Sequence, residues 1–312
     1  MRRAGRARNA RGVTAHTDQL EVTLDIACQL IDEQFPQWRS LPIEPVVPSG
    51  TDNALFRVGD HLGARFPLCV ADVETTRQEL EAEADAAREL LDRTPFPTPE
   101  PVALGEPGAG YPLPWSVQTW LPGTPASDAD TGDSQDFARD LVEFISHVRA
   151  IDTRGRTFAG RGRGGDLHDH DDWMETCLTN SEHLLDVRRL GRLWATFRDL
   201  PALSSADVMT HGDVIPGNVL VSDGRLAGIL DVGGLGPADL ALDLVGAWHL
   251  LEDAPRRTFR NELGCSDLEW ERGKAWAFQQ SMGLVWYYNT SNPPMSRMGA
   301  RTLARILANT SV

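Results

Sequence analysis

A chain of 312 residues with 41% hydrophobic and 24% charged side chains has room for one large domain or for two lobes around a cleft. Its formal net charge of −15 argues against nucleic acid as a partner, because phosphate backbones demand clustered Lys and Arg, while it suits solubility and attracts cationic small molecules. No apolar run approaches the roughly 20 residues of a membrane span. Cys28, Cys69, Cys177 and Cys265 lie too far apart for a zinc pattern or a disulfide framework, which makes a cytoplasmic chain with reduced thiols the default.

The opening "MRRAGRARNARG" is basic but leads into no apolar segment, so it is not a secretory signal. Residues 1–15 read as a disordered arm, or as residues upstream of the true start. The next stretch, "DQLEVTLDIACQLIDEQF", carries Leu20, Leu24, Ala27, Ile31 and Phe35 at helical spacing. Apolar bursts in "IEPVVPSGTDNALFRVGDHLGARFPLCV", punctuated by Ser-Gly, Gly-Asp and Gly-Ala, predict strands joined by tight turns. The segment "ADVETTRQELEAEADAARELLDR", rich in Ala, Glu and Leu, predicts a helix. "PFPTPEPVALGEPGAGYPLPWSVQTWLPGTPA" is too proline-rich for a helix and fits a strand, a turn at 108–110 and a second strand over 115–121.

From about Ser134 onward the chain is mainly helical, broken by short strands at 207–210, 218–221 and 226–230. Strands first and helices after predict an α+β protein with a β-rich lobe over 16–121 and a larger helical lobe over 122–312. The aromatic residues Trp270, Trp276, Trp286, Tyr287 and Tyr288 fall in the last long helical stretch and read first as core.

One segment carries chemistry. In "MTHGDVIPGNVLVSDGRLAGILDVGG", Asp213 lies in a loop between two short strands, Asn218 follows five positions on, and Asp231 comes directly after a strand. The Pro216-Gly217 turn reverses the chain, so that the acid and the amide can face one point. Hard oxygen donors of this kind suit Mg²⁺, which keeps several waters and shares its shell with nucleotide phosphates. Phosphoryl transfer needs an acid to orient and deprotonate the incoming hydroxyl, and an Asn and an Asp to hold metal. An isolated H-G-D would read as a turn or cap. The D-x₄-N spacing, followed by a strand and D-x-G, sets this segment apart.

The stretch from His211 to Trp248 resembles the catalytic core of the aminoglycoside phosphotransferase family, which includes macrolide kinases and has a bilobal protein-kinase-like fold. "SGTDNALFRVGD", "ALGEPGAGYPLPWSVQTWLPG" and "WYYNTSNPPM" extend the resemblance to roughly residues 20–310. It implies that Asp213 is the catalytic base, that Asn218 and Asp231 are Mg²⁺ ligands, and that His211 braces the loop. It gives Asp243 a steadying role in that loop. Ser49, Gly50, Thr51 and Asn53 would cover the nucleotide phosphates, and Gln118, Thr119, Trp120 and Leu121 would form the hinge whose backbone meets the purine.

Kinases of this fold pair a strand lysine with a helix glutamate, but the only lysine here is Lys274. Arg65, in "GARFP", matches the strand position and can hold phosphates bidentately. Glu83 is the chosen partner, with Glu79 and Glu81 as competitors. The chain also reads "DVG" for the usual D-F-G, and "GPADL" where relatives have Gly-Asp-Pro, with Asp231 and Asp239 retained. The implied activity is transfer of the γ-phosphate of ATP or GTP to a hydroxyl of an aminoglycoside or macrolide. Metabolic kinases acting on choline-, homoserine- or sugar-like substrates, and a catalytically silent nucleotide-binding fold, stay open as alternatives. The expected partner is a hydroxylated small molecule, cationic ones included, with no nucleic acid or membrane and with the oligomeric state undetermined.

"GGDLHDHDDW" concentrates acids with His168 and His170, but Trp173 stands where a metal-hydrolase motif would need its last histidine. It reads as a loop and helix start, with Asp169, Asp171 and Asp172 favouring the helix dipole. Such a loop could line the substrate cleft.

Overall fold

The computed structural model describes residues 19–46, 53–160 and 163–310. The basic arm at 1–15, and with it Ser49, Gly50 and Thr51, lies outside the described residues. Helix α1 (Leu24–Gln34) is capped by the Thr23 hydroxyl, which accepts from the Ile26 N–H at 3.3 Å, and it buries Ala27, Leu30 and Ile31. Five strands follow: β1 (Ile43–Val46), β2 (Asn53–Val58), β3 (Leu62–Pro67), β4 (Pro101–Gly105) and β5 (Trp115–Thr119). They form one antiparallel sheet in the order β1-β2-β3-β5-β4. The β4–β5 connection folds back through a Gly108–Tyr111 bridge, with Gly110 at φ +84°, so the turn stands where the glycines predict it.

Alternation along β3 decides what this sheet does. Ala64 and Phe66 face a buried cluster with Leu30, Phe56, Tyr111, Trp115 and Val117, where Phe66 stacks on Trp115 at 4.7 Å. Arg65, between them, must therefore point to the opposite face. On that face lies α2 (Val73–Leu90), started by Asp72, whose carboxylate accepts from the Thr75 N–H at 3.0 Å. Leu80, Ala84 and Ala87 are its buried side.

The rest of the chain is mainly helical. It comprises β6 (Thr124–Pro125), α3 (Gln135–Arg149), α4 (Asp171–Asn180), α5 (Val187–Arg198), β7 (Val208–Thr210), β8 (Val219–Ser222), β9 (Arg225–Ile229), β10 (Gly236–Ala238), α6 (Val245–Leu250), α7 (Asp253–Leu263), α8 (Asp267–Tyr287) and α9 (Pro293–Ala308). Helix α8 is buried along almost its whole length, from Glu269 to Val285. A helix enclosed on all sides carries no narrow apolar stripe, and α8 accordingly spreads Trp270, Trp276, Ala277, Phe278 and Met282 around its circumference. Trp270 and Trp276 are core residues as expected, whereas Trp286, Tyr287 and Tyr288 are half-buried. The two strands flanking Asp213 do not pair with each other: β7 pairs with β10, and β8 sits between β6 and β9. The architecture is α+β, a small antiparallel sheet followed by a helical body. Among the described residues no helix is long and apolar enough to cross a membrane.

Candidate active site

The β8–β9 hairpin sets the geometry. Its register places Val219 opposite Ile229, and one step beyond, the Leu230 N–H donates to the Asn218 carbonyl at 2.7 Å. Asn218 and Asp231 therefore flank the same open end of the hairpin. Pro216–Asn218 forms a single 3₁₀ turn in which the Asn218 N–H donates to the Ile215 carbonyl at 2.9 Å. Proline fits the first position of such a turn because its missing N–H has no partner there. Asp231 adopts a left-handed conformation, φ 55° and ψ 57°, unusual for a residue with a Cβ and frequent at functional sites.

The loop before Asp213 is braced from beneath. Asp243 is completely buried, and its carboxylate accepts the backbone N–H groups of His211 and Gly212, both at 2.8 Å. Burial pushes this carboxyl up from the ordinary aspartate range, against the pull of His211 and the two amides. His211, also fully buried, lies 3.1 Å through Nε2 from the Leu230 carbonyl, and its Nδ1 accepts the Asp213 N–H at 3.3 Å. One imidazole thus links the loop to the end of β9. Gly212, at φ +79°, turns the chain between them.

Asp213 is held at both oxygens. Its Oδ2 accepts from Asn218 Nδ2 at 3.1 Å, and its Oδ1 accepts from Gln280 Nε2 at 2.9 Å and from Arg163 Nη1. The carboxylate keeps 22% of its surface exposed and Arg163 40%, so the site opens to a ligand. Asn218 Nδ2 also donates to the Asp213 carbonyl at 3.1 Å. With its nitrogen committed twice, Asn218 offers its carbonyl oxygen as the remaining donor.

On the sheet side, Arg65 Nη1 donates to Glu83 Oε2 at 3.1 Å, and Arg65 Nη2 lies 3.8 Å from Asp231 Oδ1. The structure thereby chooses Glu83, since Glu79 and Glu81 are exposed on the outer face of α2. Desolvation pushes the Glu83 carboxyl up, opposed by Arg65 and reinforced by nearby Asp231. Gly233 packs directly on Glu83: a Cβ there would come 2.6 Å from Cγ. The second residue of the "GG" pair is not needed for this: Gly233 alone lets α2 approach the segment after Asp231. Arg65, Glu83 and Asp231 line one cleft with Ala103, Val117 and Gln118.

The hinge segment differs from expectation in two amides. Gln118 and Thr119 end β5, the Thr119 N–H donates to the Glu100 carbonyl at 2.9 Å, and the Trp120 N–H donates to the His61 carbonyl at 2.7 Å. These two donors are spent inside the fold and are not free to meet a ligand. Asn53 opens β2. In 164–173, His168 binds Asp166 at 3.0 Å and Asp199 at 3.1 Å, while His170 contacts the Gly164 carbonyl and Gln279. Asp171 and Asp172 occupy the first turn of α4, where the dipole favours them, and Asp171 also accepts from Trp194 Nε1 at 2.8 Å. Asp239 is a structural acid, receiving Arg272 Nε at 2.7 Å and the Ala241 N–H at 2.9 Å. Arg163 and Gln280 carry no sequence signal: the first sits in a Gly-Arg stretch, the second in an enclosed helix.

The residues fit a magnesium ion. The Asn218 carbonyl oxygen and the Asp231 carboxylate, 49% exposed, are hard donors at one hairpin end. Among the described residues no three His, Cys, Asp or Glu side chains gather into an all-protein cage. Two protein oxygens completed by phosphate and water is the donor set magnesium usually takes.

Comparison with known proteins follows the same line. An Escherichia coli aminoglycoside 3'-phosphotransferase is 37% identical over 145 residues, 44% of this chain and 52% of its own length. The chain thus spans about half the length of that curated relative. The GDP complex of wild-type aminoglycoside 2'-phosphotransferase-IIIa superposes with a TM-score of 0.68 at 18% identity, covering 91% of this chain and 98% of that one. The apoenzyme of a macrolide 2'-phosphotransferase from Brachybacterium faecium gives a TM-score of 0.58 at 17% identity, over 89% and 98%. At these identities the solved structures establish the kinase-like fold. The family model described as "Phosphotransferase enzyme family" matches residues 45–277, most of the molecule, and the chain belongs to that family.

Proposed function

We propose that this chain is a small-molecule kinase that moves the γ-phosphate of ATP or GTP to a hydroxyl of an aminoglycoside- or macrolide-class substrate. The observation that carries the reading is the pairing of Asp213 with Asn218 at the end of the β8–β9 hairpin that also bears Asp231. Asp213 orients the acceptor hydroxyl and takes its proton as the oxygen attacks phosphorus. Asn218 and Asp231 would hold Mg²⁺, which when bound supplies positive charge to the nucleotide phosphates. Arg65, steadied by Glu83, fills the place of the usual lysine and holds phosphate oxygens through its planar fork. Arg163, against Asp213, puts further positive charge where the moving phosphoryl gains negative charge.

Residues 16–121 form the nucleotide side and 122–312 the acceptor side, a division supported by a separate buried cluster within the first segment, although Ala87 and Leu90 of α2 pack into the cluster of the second. The lack of a strand lysine favours a silent nucleotide-binding fold, but the ordered Arg65–Glu83 pair supports a working site. The acceptor class rests on the curated relatives' printed activity. Incubation with γ-labelled ATP and GTP over a panel of aminoglycosides, macrolides and choline-, homoserine- and sugar-like hydroxyl compounds tests it. Labelled antibiotic is the expected product; label only on a metabolite would replace the substrate class, and nucleotide binding with no product from any acceptor would favour the silent reading.

A further inference from the structure

Behind Asp213 runs a line of buried polar side chains that the proposed chemistry leaves unused. Gln280, on α8, stands 2.9 Å from Asp213 Oδ1. Its other end meets His249 Nε2, on α6, again at 2.9 Å. His249 Nδ1 in turn lies 2.9 Å from the Thr302 hydroxyl, on α9. All three side chains are buried, Thr302 completely. Buried polar groups inside a helical body carry a desolvation cost that their mutual hydrogen bonds must offset. A wholly apolar packing would avoid that cost, so these positions invite a reason.

The direction of every bond in the line follows from its chemistry. A carboxylate only accepts, so Gln280 turns its amide nitrogen to Asp213 and its carbonyl oxygen to His249. A carbonyl also only accepts, so His249 carries its proton on Nε2 and donates it to Gln280. Nδ1 is then the lone-pair nitrogen and receives the Thr302 O–H. The Met298 carbonyl, 3.1 Å from that oxygen, competes for the same single proton at the longer distance. Arg305 donates Nη1 to the His249 carbonyl at 2.8 Å. Burial, opposed by the hydrogen bond to Gln280 and helped by the positive charge of Arg163 and Arg305, holds the His249 pKa down to about 4. The ring stays neutral and the pattern of donors stays fixed around neutral pH.

We infer that Thr302, His249 and Gln280 are positioning residues that fix the rotamer of the Asp213 carboxylate through a one-way hydrogen-bond chain across three helices. The inference rests on the reading of Asp213 as the base. Oδ1 is anchored by Gln280 from within and by the more exposed Arg163 from outside, and Oδ2 by Asn218 along the loop, so the carboxylate cannot swing about χ1 or χ2 without losing a bond. An unanchored carboxylate would spend much of its time away from the acceptor hydroxyl, and the loss would appear in kcat rather than in nucleotide binding.

The test compares wild type, Asp213→Asn, Gln280→Leu, His249→Leu and His249→Gln in steady-state kinetics with the acceptor that wild type phosphorylates, alongside thermal melting. A lost hydrogen bond to an anionic base lowers kcat by about 10–100-fold, and that is expected of Gln280→Leu and His249→Leu. The nucleotide KM should move by less than about twofold, since neither residue faces the phosphates. His249→Gln, which can accept from Thr302 and donate to Gln280, should recover most of the rate. In wild type, nitrogen-15 spectra should show the His249 proton on Nε2. Folded Gln280→Leu and His249→Leu with wild-type kcat, while Asp213→Asn is inactive, would overturn the chain and leave the base in place. A proton on Nδ1 would also overturn it. Full activity of Asp213→Asn would instead remove the base assignment.

Discussion

At the residue scale, carboxylates that composition alone treats alike carry different duties. Asp213→Asn preserves the side-chain shape and removes the proton acceptor. Its kcat should fall by about 10²–10⁴-fold, as for other general bases, while Mg-nucleotide affinity measured by calorimetry stays within a few-fold. Arg65→Met should do the reverse, raising the nucleotide KM by about tenfold or more with a smaller change in kcat, because it removes a phosphate contact and leaves Glu83 without its 3.1 Å partner. His249 makes a prediction about stability. Its folded pKa of about 4 lies below the ordinary 6.5, so the unfolded chain takes up the proton first as pH falls. Its contribution is therefore intact above about pH 6.5 and is lost progressively as pH falls toward 4, by about 3 kcal/mol in all. Urea unfolding of wild type and His249→Gln should show the variant's stability falling less across that window; parallel curves would contradict it.

At the scale of elements, the site depends on backbones that come close because particular glycines permit it. Gly233→Ala would drive a Cβ to 2.6 Å from Glu83 Cγ, so α2 or the glutamate must shift. The expected result is a weaker Arg65–Glu83 pair, read as a raised nucleotide KM with a small loss of stability. Gly273→Ala, on α8, would meet Leu244 Cβ at 2.5 Å, next to the buried Asp243 that braces the catalytic loop. Overpacking there should cost about 1–3 kcal/mol in chemical unfolding. The elements themselves were largely legible in the sequence. Asn218 and Asp231 are recognisable because one hairpin brings them together, with Asp213 reached through the short Pro216–Asn218 turn, and hairpin register follows from short-range turn chemistry. The choice of Glu83 over Glu79 and Glu81 came from the family spacing and agrees with the Arg65 pair, whereas the residues alone do not show how α2 is rotated against β3. Gln280 lies 67 positions from Asp213, and Arg163 lies 50. Contacts across such distances leave no local pattern, and the enclosed α8 gives no amphipathic stripe to show which face meets the site. The hinge amides of Thr119 and Trp120 were legible as to place but not as to partner, since the carbonyls that take them come from other segments.

At the scale of the molecule, the sheet supplies Arg65, α2 supplies Glu83, the hairpin supplies Asn218 and Asp231, and the helical body supplies the supports of Asp213. A ligand that bridges these parts should stabilise the native state by mass action, by about 2.7 kcal/mol at a hundredfold excess over Kd. Thermal melting with ATP or GTP should accordingly rise in the presence of Mg²⁺, and rise less in Asp231→Asn. The fold and family reach this far, while the acceptor is set by side chains of the cleft rather than by the fold. The measurement that bears most directly on the whole is transfer of γ-labelled phosphate from ATP or GTP to the acceptor panel, by wild type and by Asp213→Asn side by side. A phosphorylated hydroxyl compound is expected from wild type and almost none from the variant. Equal product from both, or nucleotide binding with no product from any acceptor, would contradict it.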